Sequence, residues 1–261
     1  VLTIDEFWSV EIQSKSWQQE KDFEGINIHE IYLIKVFGRQ PSGFLEIVEK
    51  CERLTLFFEL AFTSTVKIKS FYLFNSEILE DKNGNDSIAL YYNQGSWLRK
   101  KSTHERPIFN YDLIEDHFGN IILKWMKIDS KLEPILNFLV KSFQNDDYFD
   151  PSNFMIIVNA LEGFHRRFRE NKEIELKARI DLLLEEFSNI DDISRLELNS
   201  FKIARNRHYY SHFFEKDFQH LYKIEDLIGV TFDLRKLLFC CILRQIGFTD
   251  DLLNKIPLES L

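Results

Sequence analysis

Two arginines and two histidines stand within eight residues of one another, at Arg205, Arg207, His208 and His212, interleaved with aromatic side chains. Free histidine titrates at about pH 6.5, so it can take or give a proton near neutrality. Arginine keeps its charge and presents a planar fork that matches phosphate oxygens. These types suit metal-free chemistry at phosphorus, with a proton removed from an attacking hydroxyl, a phosphorane-like dianion stabilised and the departing oxygen protonated. The spacing leaves open which arginine takes part. At about 100° per residue on a helix, Arg207 and His212 point about 140° apart, whereas Arg205, His208 and His212 share one stripe. Either the helix ends within the segment, or Arg207 reaches round, or Arg205 is the partner of His212. The bland alternative is a solvated helix end whose cationic groups complement the helix dipole.

A second group lies upstream at Glu162, His165, Arg166, Arg167 and Arg169. Glu162 could orient a catalytic histidine or neutralise Arg207, or simply pair with Arg166 four residues later. His165 is a further supporting candidate. The three arginines form a local cationic cluster, suited to phosphate binding or to an ordinary solvated face. His104, His117 and His220 are isolated and read as surface or capping residues. Tyr209 and Tyr210 could stack on bases, although helix packing suits at least one of them.

The elements that must carry these residues are mostly helical. Phe44, Ile47, Val48, Cys51, Leu54, Phe57, Phe58 and Ala61 recur at steps of three and four, which predicts a helix over 43–64 and a core role for its stripe. The β-branched and aromatic run 66–74 reads as a strand, the Asn83-Gly84 pair as a turn and 88–92 as the returning strand. The segment 30–37 suits strand or helix, and 95–110 reads as a loop. From Tyr111 onward helices are predicted near 111–126, 131–144, 152–170, 174–188, 194–212 and 223–247. Asp150 before Pro151 makes a helix start, and Gly247 a stop. The expected architecture is therefore an α+β N-terminal module over 1–128 followed by an all-α bundle over 129–261, predominantly helical overall.

Composition narrows the class. Hydrophobic residues make up 44% of the 261 and aromatics 15%, with 25 phenylalanines, enough for a real core. Only 9 Gly and 5 Pro argue against a turn-rich β-sandwich. A net charge of −9 opposes general electrostatic binding of nucleic acid, so any such contact must use locally concentrated cations. Cys240 and Cys241 are adjacent in an apolar run and, with Cys51, read as core thiols of a reducing cytoplasm. No Cys/His spacing suits zinc, no cofactor is expected, and no apolar stretch has the length of a membrane span. The start at Val1-Leu2-Thr3 carries neither an initiator Met nor a signal pattern, as in a truncated chain.

Arg207-His208-Tyr209-Tyr210-Ser211-His212 resembles the R-x4-6-H pattern of HEPN domains, with His208 in the polar position after the arginine. Asn159-Ala160-Leu161-Glu162-Gly163-Phe164-His165-Arg166-Arg167, about forty residues upstream, resembles the Ala-Leu-Glu-x-Phe-His-Arg segment of the ApeA-like HEPN family. The first half, with a helix leading into a strand, also looks like the ApeA N-terminal region. The resemblance implies a prokaryotic abortive-infection protein that resists phage through a metal-independent ribonuclease. It implies 2′-OH attack that leaves a 2′,3′-cyclic phosphate, and a homodimer through the HEPN domain with a composite site. Activity would be restrained until a phage-derived trigger acts, with the N-terminal module as sensor. It favours Arg207 over Arg205 as phosphate stabiliser, whereas strict helix geometry favours Arg205; His212 would serve as general base or acid, and His208 would position phosphate or act as a second proton carrier. The alternatives are a catalytically silent HEPN dimerisation or antitoxin-like binding module, or a ligand sensor working through the N-terminal module.

Overall fold

The computed structural model describes residues 2–3, 8–22, 25–38, 43–63, 66, 71–74, 87–90, 107–128, 130–144, 150–213 and 215–261. The Asn83-Gly84 turn, His104 and the 95–106 part of the expected loop lie outside the described residues. What is described is predominantly helical. Three strands, β1 (Leu2–Thr3), β2 (Trp8–Asp22) and β3 (Gly25–Gly38), run antiparallel in the order β1-β2-β3. The segment 30–37, open to either reading, falls within β3. Helix α1 (Phe44–Phe62) follows, then β4 (Phe71–Phe74) and β5 (Ser87–Leu90), which pair antiparallel with Phe71 opposite Leu90.

The remaining helices are α2 (Tyr111–Ile114), α3 (Phe118–Met126), α4 (Glu133–Gln144), α5 (Pro151–Phe168), α6 (Leu176–Glu186), α7 (Asp191–Ser194), α8 (Ser200–His212), α9 (Ile224–Gln245) and α10 (Asp250–Leu253). Of the expected helices one is divided and another starts late. A 3-10 turn over Glu115–His117 separates α2 from α3. The 194–212 stretch starts afresh at Asn199, whose side chain accepts the Lys202 N–H at 2.9 Å and caps α8. Asp150 caps α5 as its sequence predicts, accepting the Ser152 N–H at 2.8 Å. Past the end of α9, Gly247 takes φ +107°, a conformation that favours glycine. It lets the Phe248 N–H turn back to the Leu243 carbonyl at 3.0 Å.

Helices α5 and α9 pack along one another, with α4 against both and α6 and α8 against α5. Phe154, Ile157, Val158, Leu161 and Phe164 of α5 are buried at helical spacing, and the end of α9 is buried from Leu237 through Leu243. This core does not stop at residue 128. Phe57 of α1 meets Phe109 and Trp125 edge-on at ring distances of 5.8 and 5.4 Å, and Phe109 meets Phe248 at 5.1 Å. The Trp125 indole N–H donates to the Arg53 carbonyl at 2.7 Å, while Arg53 donates to the Met126 carbonyl at 3.1 Å. The paired polar groups thus tie α1 to α3, and apolar burial, with Phe109 against Phe248, continues the core into the C-terminal bundle.

Candidate functional site

Helix α8 runs unbroken through the whole Arg/His segment and ends at His212, where Phe213 adopts a left-handed conformation with φ 55°. The helix therefore does not end within the motif, and side-chain directions follow helical geometry. His208 and His212, one turn apart, face the same way with ring centroids 5.0 Å apart. His212 is exposed and His208 half-buried. Two imidazoles this close can supply one proton acceptor and one proton donor to a single reacting group.

Arg207 points instead towards α5. Its Nη2 lies 3.3 Å from Glu162 Oε2, and the other carboxylate oxygen of Glu162 takes Arg166 Nη2 at 2.9 Å. The two partners weighed for Glu162 are thus satisfied together, one per oxygen. The Nε atom of Arg207 is buried with no hydrogen-bond partner among the described residues. Arg205 lies on the His208–His212 stripe, its guanidinium carbon 5.2 Å from the Phe201 ring centre, and Phe201 meets His220 edge-on at 5.7 Å.

His165 stands apart from this group. It is 2% exposed, and its Nδ1 lies 3.0 Å from Nη1 of Arg179, which is itself buried. A guanidinium only donates, so Nδ1 must accept and the ring proton must sit on Nε2. Burial, then the Arg179 charge, hold the His165 pKa below its ordinary value. Arg179 also donates to the Glu170 and Lys172 carbonyls at 3.1 and 2.6 Å, stapling the turn between α5 and α6.

The arginines after Glu162 also diverge. Arg167 donates to the Lys131 carbonyl at 2.7 Å, and Arg169 grips both oxygens of Glu186 at 2.7 and 2.6 Å. Together with Arg166 on Glu162, they reach three separate partners rather than one shared cradle. Tyr210 packs edge-on against buried Phe154 at 6.3 Å, the packing role open to it in the sequence.

Sequence reasoning passed over Asn206. Its side chain is fully buried, donating to the Lys202 and His220 carbonyls at 2.7 and 3.3 Å and accepting the Tyr222 N–H at 3.0 Å. It clamps the chain leading into α9 against the helix that carries the histidines. An asparagine at mid-helix, where its propensity is poor, is the one sequence signal that could have marked it.

Among the described residues no three His, Cys, Asp or Glu side chains gather as metal ligands, and no helix is long and apolar enough to cross a membrane. Cys240 and Cys241 are buried in α9, and burial pushes the Cys240 thiol up to about 12.

Residues 155–252 of this helical bundle match the family model described as Apea-like HEPN. Residues 2–125 match the model of ApeA N-terminal domain 1. The chain belongs to the ApeA-like HEPN family, one of anti-phage defence whose HEPN domains are generally associated with RNase activity. No curated protein and no solved structure matches the chain.

Proposed function

We propose that this chain is a metal-independent endoribonuclease of anti-phage abortive infection, cleaving RNA by 2′-OH attack to leave a 2′,3′-cyclic phosphate and a 5′-hydroxyl. The observation that carries the reading is the His208–His212 pair, with rings 5.0 Å apart at the open end of α8. His212, the more exposed, acts as general base or acid, and His208 positions phosphate or carries the second proton. Arg207 stabilises the dianion formed at phosphorus, as an oriented guanidinium does at developing negative charge. Within one chain Arg207 and His212 diverge around the helix by about 140°. A site assembled from α8 helices of two copies brings the arginine of one to the histidine of the other, so the working form is a homodimer through the HEPN domain. Glu162 orients Arg207, and His165 with Arg179 supports α5 from beneath.

The N-terminal 1–128 serves as an α+β sensor that keeps cleavage at a low basal rate until a phage-derived trigger raises it in the cytoplasm. A second reading, a silent HEPN module, draws on the engagement of Arg207 by Glu162, which occupies one edge of the guanidinium. The discriminating experiment is cleavage of RNA by purified protein, with and without chelator, for wild type, Arg207→Ala and His212→Ala. The expected outcome is chelator-resistant cleavage that falls by about 10²–10⁴-fold in His212→Ala. Arg205→Ala, compared with Arg207→Ala, decides which arginine serves the phosphate. Strict metal dependence, or equal activity in all variants, overturns the reading.

A further inference from the structure

We infer that the ring of Phe213 is a stacking platform for an unpaired nucleobase beside the phosphodiester held at His212; the inference rests on the nuclease reading above. Phe213 breaks two rules at once. Its φ of 55° lies in the left-handed region that helix ends normally give to glycine or asparagine. Its side chain is 69% exposed, so burial does not explain the choice of a large apolar residue. A position that favours neither phenylalanine's backbone nor its ring points to a use for the ring itself.

That ring is held, not loose. Tyr209 meets it edge-on at 5.8 Å, and Tyr209 is in turn braced by Phe218 at 6.3 Å and Tyr210 at 5.4 Å. Tyr210 rests on Phe154 in the core. A relay of aromatic contacts thus runs from the core to an open ring directly after His212. Aromatic faces bind bases with little sequence preference because every base offers a π-face. A base stacked there would lie on the residue that directly follows His212, at the end of the helix that carries both imidazoles.

The test is fluorescence-anisotropy binding of the full chain to a fluorescein-labelled single-stranded oligoribonucleotide, 2′-O-methylated throughout so that it cannot be cut by 2′-OH attack. Phe213→Gly should weaken binding roughly 5- to 100-fold, the effect of losing one stacked base. It should melt close to wild type, because glycine's ease in the left-handed backbone offsets the lost edge-on contact with Tyr209. Phe213→Trp should bind close to wild type. Equal binding by wild type and Phe213→Gly overturns the subsite alone. A Phe213→Gly protein that elutes as a smaller species overturns it in favour of a contact between subunits. Absence of binding by wild type overturns the subsite, while the nuclease reading stands or falls on the cleavage assay above.

Discussion

Arg207 on α8 and Glu162 on α5 meet at 3.3 Å across 45 positions of sequence, and the same carboxylate holds Arg166. One acidic group therefore fixes the direction of a cation on a neighbouring helix while keeping a local partner of its own. A guanidinium left to rotate freely would reach a phosphate in many poses; one tethered at Nη2 offers its remaining donors in few.

Glu162→Gln should lower RNA cleavage about ten- to hundredfold by loosening Arg207. Stability should change by less than about 1 kcal/mol, since the pair is partly solvated and such pairs contribute little. Parallel measurement of kcat and of thermal melting checks this. Undiminished cleavage in a folded variant removes the orienting role.

Acid should weaken the fold through His165. Its folded pKa is lowered by burial and by Arg179, whereas in the unfolded chain it returns to about 6.5. Below that value the unfolded state binds the extra proton, so the contribution to stability is complete above about pH 6.5 and declines as pH falls towards the lowered folded value. His165→Gln can still accept from Arg179 but does not titrate. Urea unfolding between pH 7 and pH 5 should therefore show a shallower loss in the variant; identical slopes would count against His165 as the titrating group.

Asn206→Ala leaves the Tyr222 N–H and the His220 carbonyl without their partner inside the protein, at a cost of about 1–3 kcal/mol. Denaturant unfolding reads that loss, and faster hydrogen exchange at the Tyr222 amide should accompany it. A change within about 0.5 kcal/mol, typical of an inert surface position, would show that water replaces the clamp.

Much was legible before any coordinates. The helix α1, the Asp150-Pro151 start of α5, the stop at Gly247 and the company of His208 with His212 all follow from helical period and local caps, although the expected core stripe of α1 is buried only from Leu54 onward and Phe44, at its first turn, is exposed. These signals act within a few residues, and the backbone geometry that expresses them is nearly invariant. The resemblance carried by Arg207–His212 and Asn159–Arg167 likewise pointed to the family that the two model matches establish.

Contacts between elements were decided only by packing. Nothing in the spacing told whether Glu162 served Arg166 or Arg207, and the approach of α8 to α5 lets it serve both. His165 and Glu162 lie three residues apart, yet one is sealed against Arg179 and the other faces the arginines, because burial depends on which helix covers each face. Asn206 was silent until His220 and Tyr222 folded back onto it. The Arg/His segment itself was divided in the same way. The sequence by itself determined that these side chains are present and that the histidines share a stripe, since a helix repeats every 3.6 residues. The tertiary structure decided that α8 stays helical to His212 and turns Arg207 towards α5, because the energy of an ion pair depends on three-dimensional distance and solvent, not on sequence separation.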